Sequence, residues 1–185
     1  VKRFEEFFAV LNSLPDEIHD EVVKFRGVEA DDTLAWITQN LSQNYNHTWV
    51  VSSDKDLLQL IKEDVSVFNI FGRKEVTLES LQEDLELTPA QFMMSRIIEG
   101  DKGDNIIGIE GIGPKRAQGL AKEYKTLDNL IAALPLKGRA KYIQNLNAGK
   151  DRLIRNENLI NLKYCTEAIL AGKEGEKALD RLSDL

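Results

Sequence analysis

The sequence predicts an α/β protein, a mostly parallel sheet with flanking helices, followed by a helical lobe. Three observations predict it. Helix-patterned and strand-patterned segments alternate up to about residue 107. From Gly113 onward the pattern is almost wholly helical. The charge divides at nearly the same place: residues 1–110 hold 22 acidic and 10 basic side chains, whereas residues 111–155 hold 10 basic and 3 acidic, within a net charge of −7. An α/β part over 1–107 and a helical lobe over 108–185 follow from this division. An acidic part gathers carboxylates for something cationic, and a basic lobe suits something anionic.

The elements follow in order. Phe4, Phe7, Phe8 and Leu11 make one stripe of a helix from Phe4 to Leu14, interrupted by Pro15 and resumed from Asp16 to Phe25. A helix from about Ala30 to Leu41 places Leu34, Ile37 and Leu41 on one face. Trp49 to Ser52 reads as a buried strand, Leu57 to Ile61 as a short helix and Val65 to Ile70 as an alternating strand. Arg73 to Val76 can pair with that strand across Gly72. Thr77 is placed to cap a helix from Leu78 to Leu85. Thr88-Pro89, a cap and then proline at the first helical position, starts a helix running to Glu99.

A chain of 185 residues, 42% apolar and 30% charged, suits one soluble domain, or one domain with a small lobe. No apolar run reaches the roughly 18 residues of a membrane span, and no signal-peptide pattern is present, so no membrane partner is expected. The single cysteine, Cys165, can form neither an internal disulfide nor a zinc cluster, which fits a reducing, cytoplasmic compartment. Val1 in place of methionine suggests a preceding segment.

Carboxylates cluster at three element boundaries. Asp54 and Asp56 follow the Trp49 strand, where functional groups gather in open α/β sheets. Two ionised carboxylates so close repel each other unless a cation is bound. The alternative is that Asp54 caps the next helix and Asp56 fills its first turn. Glu29, Asp31 and Asp32 crowd a helix start, more negative charge than a dipole worth under about 1 kcal/mol per charge rewards. Asp101 and Asp104 lie in a glycine-bearing loop, where Asx turns are the plain explanation. Together these seven carboxylates compose an oxygen-ligand site for hard cations such as Mg²⁺. Neither His19 nor His47 adjoins them, which argues against zinc, and the spacing is not that of an EF-hand loop.

The stretch GIEGIGPKRAQGL adds a different chemistry. Gly108, Gly111 and Gly113 permit a tight backbone path, and Pro114 opens a helix whose free amides can cradle a phosphate. Lys115 and Arg116 bring positive charge to the same place, giving a salt-sensitive contact indifferent to base sequence. The alternative is an ordinary glycine-rich turn.

The ordered set Glu29-Ala30-Asp31-Asp32, Ser53-Asp54-Lys55-Asp56, Gly100-Asp101-Lys102-Gly103-Asp104-Asn105 and Gly111-Ile112-Gly113-Pro114-Lys115-Arg116 resembles the structure-specific 5′ nuclease family. That family comprises flap endonucleases, phage 5′–3′ exonucleases and the 5′ nuclease domain of bacterial DNA polymerase I. The match runs from about Gly27 to Arg116, and less specifically through LPLKGRAKYIQNLN to Asn147, and it looks most like the phage members. The resemblance implies a two-metal phosphodiesterase acting on flapped or branched duplex DNA. Positions matching Glu29 and Asp31 would help hold one Mg²⁺ (or Mn²⁺), and those matching Asp54, Asp56 and Asp101 or Asp104 the second. Asp32 would contribute from just outside. The carboxylates would anchor the ions rather than attack. The glycine stretch would be a helix-hairpin-helix-like DNA grip, with Gly111, Gly113, Lys115 and Arg116 at the backbone and, in some members, a K⁺ ion.

In one respect the chain departs from the family. Members begin with an Asp-bearing strand and a basic helical arch, and neither is present, so the chain looks like the C-terminal two-thirds of such a nuclease. The absent segment is then an expected partner. Three readings follow: a nuclease complete only with that segment, a non-catalytic DNA-binding remnant, and a structural α/β module whose acidic clusters are caps.

Overall fold

The computed structural model describes residues 25–163, together with Thr166, Ala171 and Asp180. The helices expected over residues 4–14 and 16–25 lie outside the described residues, apart from Phe25, as do His19 and Cys165.

Helix α1 (Ala30–Asn40) buries Asp32, Ala35 and Thr38, whereas Leu34, Ile37 and Leu41, expected on the inner face, are only half-buried. Small polar side chains can line this face because the helix satisfies them locally. The Thr38 hydroxyl donates to the Leu34 carbonyl at 2.9 Å, and the Ser42 hydroxyl donates to the Thr38 carbonyl at 2.9 Å.

Strand β1 (Thr48–Val51) runs parallel to β2 (Val65–Asn69), and β3 (Lys74–Val76) pairs antiparallel on the other side of β2. Flanked on both sides, β2 buries Val65, Ser66 and Val67 in succession, not in alternation. β1 is the outer strand among the described residues. Only Val50 on it is buried, while Trp49 and Val51 are 57% and 60% exposed, so the fully buried strand expected here is not found. The short helix expected over Leu57–Ile61 is a 3₁₀ helix and begins one residue earlier, at Asp56–Leu60.

Helices α2 (Leu78–Leu85) and α3 (Pro89–Glu99) start where their caps put them. Thr77 and Thr88 hydroxyl oxygens accept the amides of Ser80 and Gln91, each at 3.2 Å. The Ser80 and Gln91 side chains return the favour to the Thr77 and Thr88 amides, each at 2.9 Å.

Two cores result. Ala35, Val50, Leu57, Val65 and Val67 join α1, the sheet and the 3₁₀ segment. Met94, Ile97 and Ile98 of α3 pack instead with α4 (Pro114–Tyr124), α5 (Leu127–Ala133), α6 (Lys141–Ala148) and α7 (Lys150–Ile160). Since α3 also packs on the 3₁₀ segment, it is the hinge-pin of the two halves. Asn156, fully buried on α7, donates from Nδ2 to the carbonyls of Ile97 and Ile107 at 3.0 and 3.1 Å.

Between α3 and α4, two-residue strands β4 (Gly100–Asp101) and β5 (Ile106–Ile107) form an antiparallel pair. The backbone crosses itself closely there. A Cβ on Gly108 would lie 1.8 Å from the Glu99 carbonyl oxygen, and one on Gly100, whose φ is +80°, would lie 2.3 Å from the Gly108 nitrogen. Among the described residues no helix is long and apolar enough to cross a membrane.

Candidate metal centre and DNA-binding hairpin

Because β1 and β2 are parallel, both end at one sheet edge. The chain leaves β1 through two small turns: the Ser52 hydroxyl oxygen accepts the Asp54 amide at 3.1 Å, and Asp54 Oδ1 accepts the Asp56 amide at 2.9 Å. Asp56 then opens the 3₁₀ segment. Asp54 is not its N-cap, a position taken by Lys55 without a side-chain bond. Oδ1 of Asp54 serves the turn, and a second carboxylate oxygen remains to bind an ion.

Helix α1 delivers its acidic start to the same edge. Burial first, then the charges of Asp54, Glu29, Asp32 and Asp56, raises the Asp31 carboxyl pKa to about 6. The Asp31 carboxyl is thus near enough to Asp54 and Asp56 to feel their charge. Asp32 behaves differently. It is 3% exposed, its Oδ2 accepts the Glu29 amide at 3.2 Å, and burial raises its pKa against the lowering pull of that bond and one from Thr166. Its carboxylate closes the helix start.

The third cluster arrives through the glycine crossing. Asp101 Oδ1 accepts the amides of Gly103 at 2.6 Å and Asp104 at 3.4 Å, the Asx-turn geometry expected of that loop. Asp56, Asp101 and Asp104 each offer an oxygen within 4.8 Å of the others. Slight contraction of this triangle suits an ion bonding oxygen at about 2.1–2.5 Å. The donors are carboxylate oxygens without sulfur or imidazole, a hard-cation set.

Arg96 was not foreseen. Its Nε donates to Asp56 Oδ1 at 3.0 Å and its Nη2 to Asp101 Oδ2, with all three side chains at most 20% exposed. The only signal was its standing as the single basic residue of the helix Pro89–Glu99, five positions before Asp101.

The glycine hairpin precedes α4. Gly111, at φ +83°, needs glycine, whereas Gly113 is extended with open space around it, so the tight path expected of Gly113 is not there. The Arg116 amide already bonds the Gly113 carbonyl at 3.0 Å. Its guanidinium folds back to the Gly111 carbonyl at 3.0 Å and lies 4.8 Å over the Tyr142 ring. Arg152 donates to the Gly108 carbonyl at 3.0 Å, and Asn145 to that of Glu110 at 2.9 Å. Lys115 is exposed, as are Lys137, Arg139 and Lys141.

The family profile of the 5′-3′ exonuclease N-terminal resolvase-like domain matches residues 2–89, and that of the 5′-3′ exonuclease C-terminal SAM fold matches residues 87–173. A solved mutant of the phage T5 5′-exonuclease superposes with a TM-score of 0.82 at 36% identity, covering 88% of this chain and 68% of that one. The chain belongs to the 5′-3′ exonuclease family. The flap endonuclease of Escherichia phage T5 is 41% identical to this family member over 160 residues, 85% of this chain and 54% of that protein. A phage T5 flap endonuclease solved as a pseudo-enzyme–product complex with DNA and metal ions matches at a TM-score of 0.85 and 35% identity. That match covers 96% of this chain and 65% of that one. The chain spans about half the length of the curated relative it matches.

Proposed function

We propose that the chain supplies the metal centre and DNA grip of a divalent-metal-dependent 5′ nuclease. Its substrates are DNA 5′ flaps, branched structures and 5′ ends in replication and repair, in the cytoplasm of a bacterial or phage-infected cell. The observation that carries this reading is the meeting of three separately encoded carboxylate clusters at one sheet edge. Asp31 feels Asp54 and Asp56, and Asp56 shares a 4.8 Å triangle with Asp101 and Asp104. The relative solved with DNA and metal ions supports it.

Glu29 and Asp31 are assigned to one Mg²⁺ position and Asp54, Asp56, Asp101 and Asp104 to the other, with Mn²⁺ as a substitute. Two such ions, when bound, would activate a water and stabilise the leaving 3′ oxygen. Asp32 is given a positioning part, because its carboxylate is spent on the start of α1. The division of labour falls near residue 107, with the metal centre before it and the grip after it. Lys115 leads the phosphate contact, and Arg116 keeps the hairpin in shape. A K⁺ ion at the hairpin would share the Gly108 and Gly111 carbonyls with Arg152 and Arg116, whose guanidinium groups can serve in its place.

Thermal shift with Mn²⁺ and cleavage of a 5′-flap duplex by the full-length protein test the reading. Mn²⁺ should raise the Tm of the native chain, much less that of Asp54→Ala or Asp56→Ala. Cleavage should be lost in the same variants while duplex binding persists. A Tm indifferent to Mn²⁺ in the native chain would overturn the metal centre.

A further inference from the structure

We infer that the Arg96 guanidinium is a built-in substitute cation: it holds the Asp56–Asp101 end of the centre together before an ion arrives and leaves its place when a divalent ion binds. The inference rests on the reading of the carboxylate cluster as a metal centre.

The geometry points to it. Nε bonds Asp56 and Nη2 bonds Asp101, so the planar group lies between two carboxylates brought together from different elements. These are two of the three residues whose oxygens lie within 4.8 Å of one another. An ion bonded to the same oxygens at about 2.1 Å would sit against the guanidinium. At such a separation a single and a double positive charge repel strongly in a partly desolvated site. The two occupants are therefore alternatives.

The chain also offers the guanidinium somewhere to go. A cleft of about 410 Å³ adjoins the site, lined by Arg96 itself with Ser52, Asp54, Asn69 and Glu99. Glu99 is a second carboxylate within the same cleft, one turn along α3 from Arg96. The arginine stem is long enough to swing the charge out of the triangle without moving the helix.

This arrangement would keep ligands with no other cation between them from splaying apart, at the expense of apparent ion affinity. The exchange involves no bond making beyond hydrogen bonds and coordination. It differs from a structural ion pair in one respect: removing a structural pair loosens the ligands and weakens ion binding, whereas removing a competitor strengthens it.

The test is Mn²⁺ affinity by calorimetry on the 185-residue chain, native and Arg96→Gln. We expect the variant to bind Mn²⁺ tighter, on the order of tenfold, as befits loss of competing charge-assisted hydrogen bonds. A second measurement needs only the native chain. Its Arg96 Nε–H should exchange slowly in ion-free buffer by nitrogen-15 NMR and lose that protection as Mg²⁺ saturates the site. Equal or weaker Mn²⁺ binding by the variant, or an Nε–H still protected in saturating Mg²⁺, overturns the inference and leaves the metal centre standing. No Mn²⁺ binding to either protein overturns both.

Discussion

Asp31 carries a carboxyl whose pKa is lifted from 3.8 to about 6 by burial and by the charges of Asp54, Glu29, Asp32 and Asp56. The folded state thus binds its proton more tightly than the unfolded state. Between about 4 and 6, stability falls as pH rises, and above that window the ionised group remains a fixed burden. Asp31→Asn should therefore raise the Tm of the ion-free chain well above pH 6 and change it little near pH 4, a contrast that a pH series of melts measures. Binding of a divalent ion should release a proton below pH 6 and hardly any at pH 8, detectable by calorimetry in buffers of different ionisation enthalpy. At this scale the carboxylates were legible in the sequence, because repelling charges gathered at element ends require an explanation. Asp32 was read at a helix start with Glu29 and Asp31, but that it alone turns inward to hold the Glu29 amide was not legible, since its side chain looks the same in a list of acids whichever way it turns. Arg96 was hidden for a like reason: its partners are 40 residues upstream and five downstream, and no local pattern links the three.

The elements most clearly written in the sequence are those with their own chemical start signals. Thr77 and Thr88 fix α2 and α3 through side-chain-to-amide bonds within four residues, so both boundaries fall where the caps predict. Thr88→Ala should cost about 1 kcal/mol in urea unfolding. Elements whose character depends on neighbours were read less well. β1 and β2 are both apolar runs, and only the sheet order makes one, among the described residues, an outer strand and the other a central one. The burial of Ala35 and Thr38 in place of leucines likewise depends on what α1 lies against. The β4–β5 crossing was the least visible, because the glycines mattered for what they leave out. Gly108→Ala should destabilise by about 3 kcal/mol or more, at or beyond the upper end of ordinary substitutions, and should also blunt the Mn²⁺-induced Tm shift, since Asp101 and Asp104 hang from that crossing. A Gly108→Ala chain with native stability would show the crossing to be slack.

Across the whole molecule, the charge division seen in the sequence separates a carboxylate-rich edge from a basic lobe. The lobe should bind duplex DNA without base preference, with log affinity falling linearly against log salt. Lys115→Ala should reduce that slope by about one unit. Arg116→Ala should act chiefly through the hairpin, lowering Tm as well as affinity, because its guanidinium bonds the Gly111 carbonyl and covers Tyr142. An unchanged slope in Lys115→Ala would remove that lysine from the interface. The halves are not independent bodies: α3 packs in the lobe core yet carries Arg96 to the metal edge, and Asn156 ties α7 to it.

The self-crossing at Gly100 and Gly108 also says where the chain can change length over evolutionary time. Seven residues separate two points that touch backbone to backbone, so an insertion between them would need to bulge away without shifting either end or turning Asp101 from its place. The turn joining β2 and β3 is under no such restriction. Phe71 at its tip is 86% exposed, and the Gly72 amide donates to Asn69 Oδ1 at 2.7 Å within the turn itself. Relatives of different size should accordingly carry their extra residues at 70–73 and keep 100–108 at constant length, a segregation of gaps that comparison of family sequences can confirm or refute.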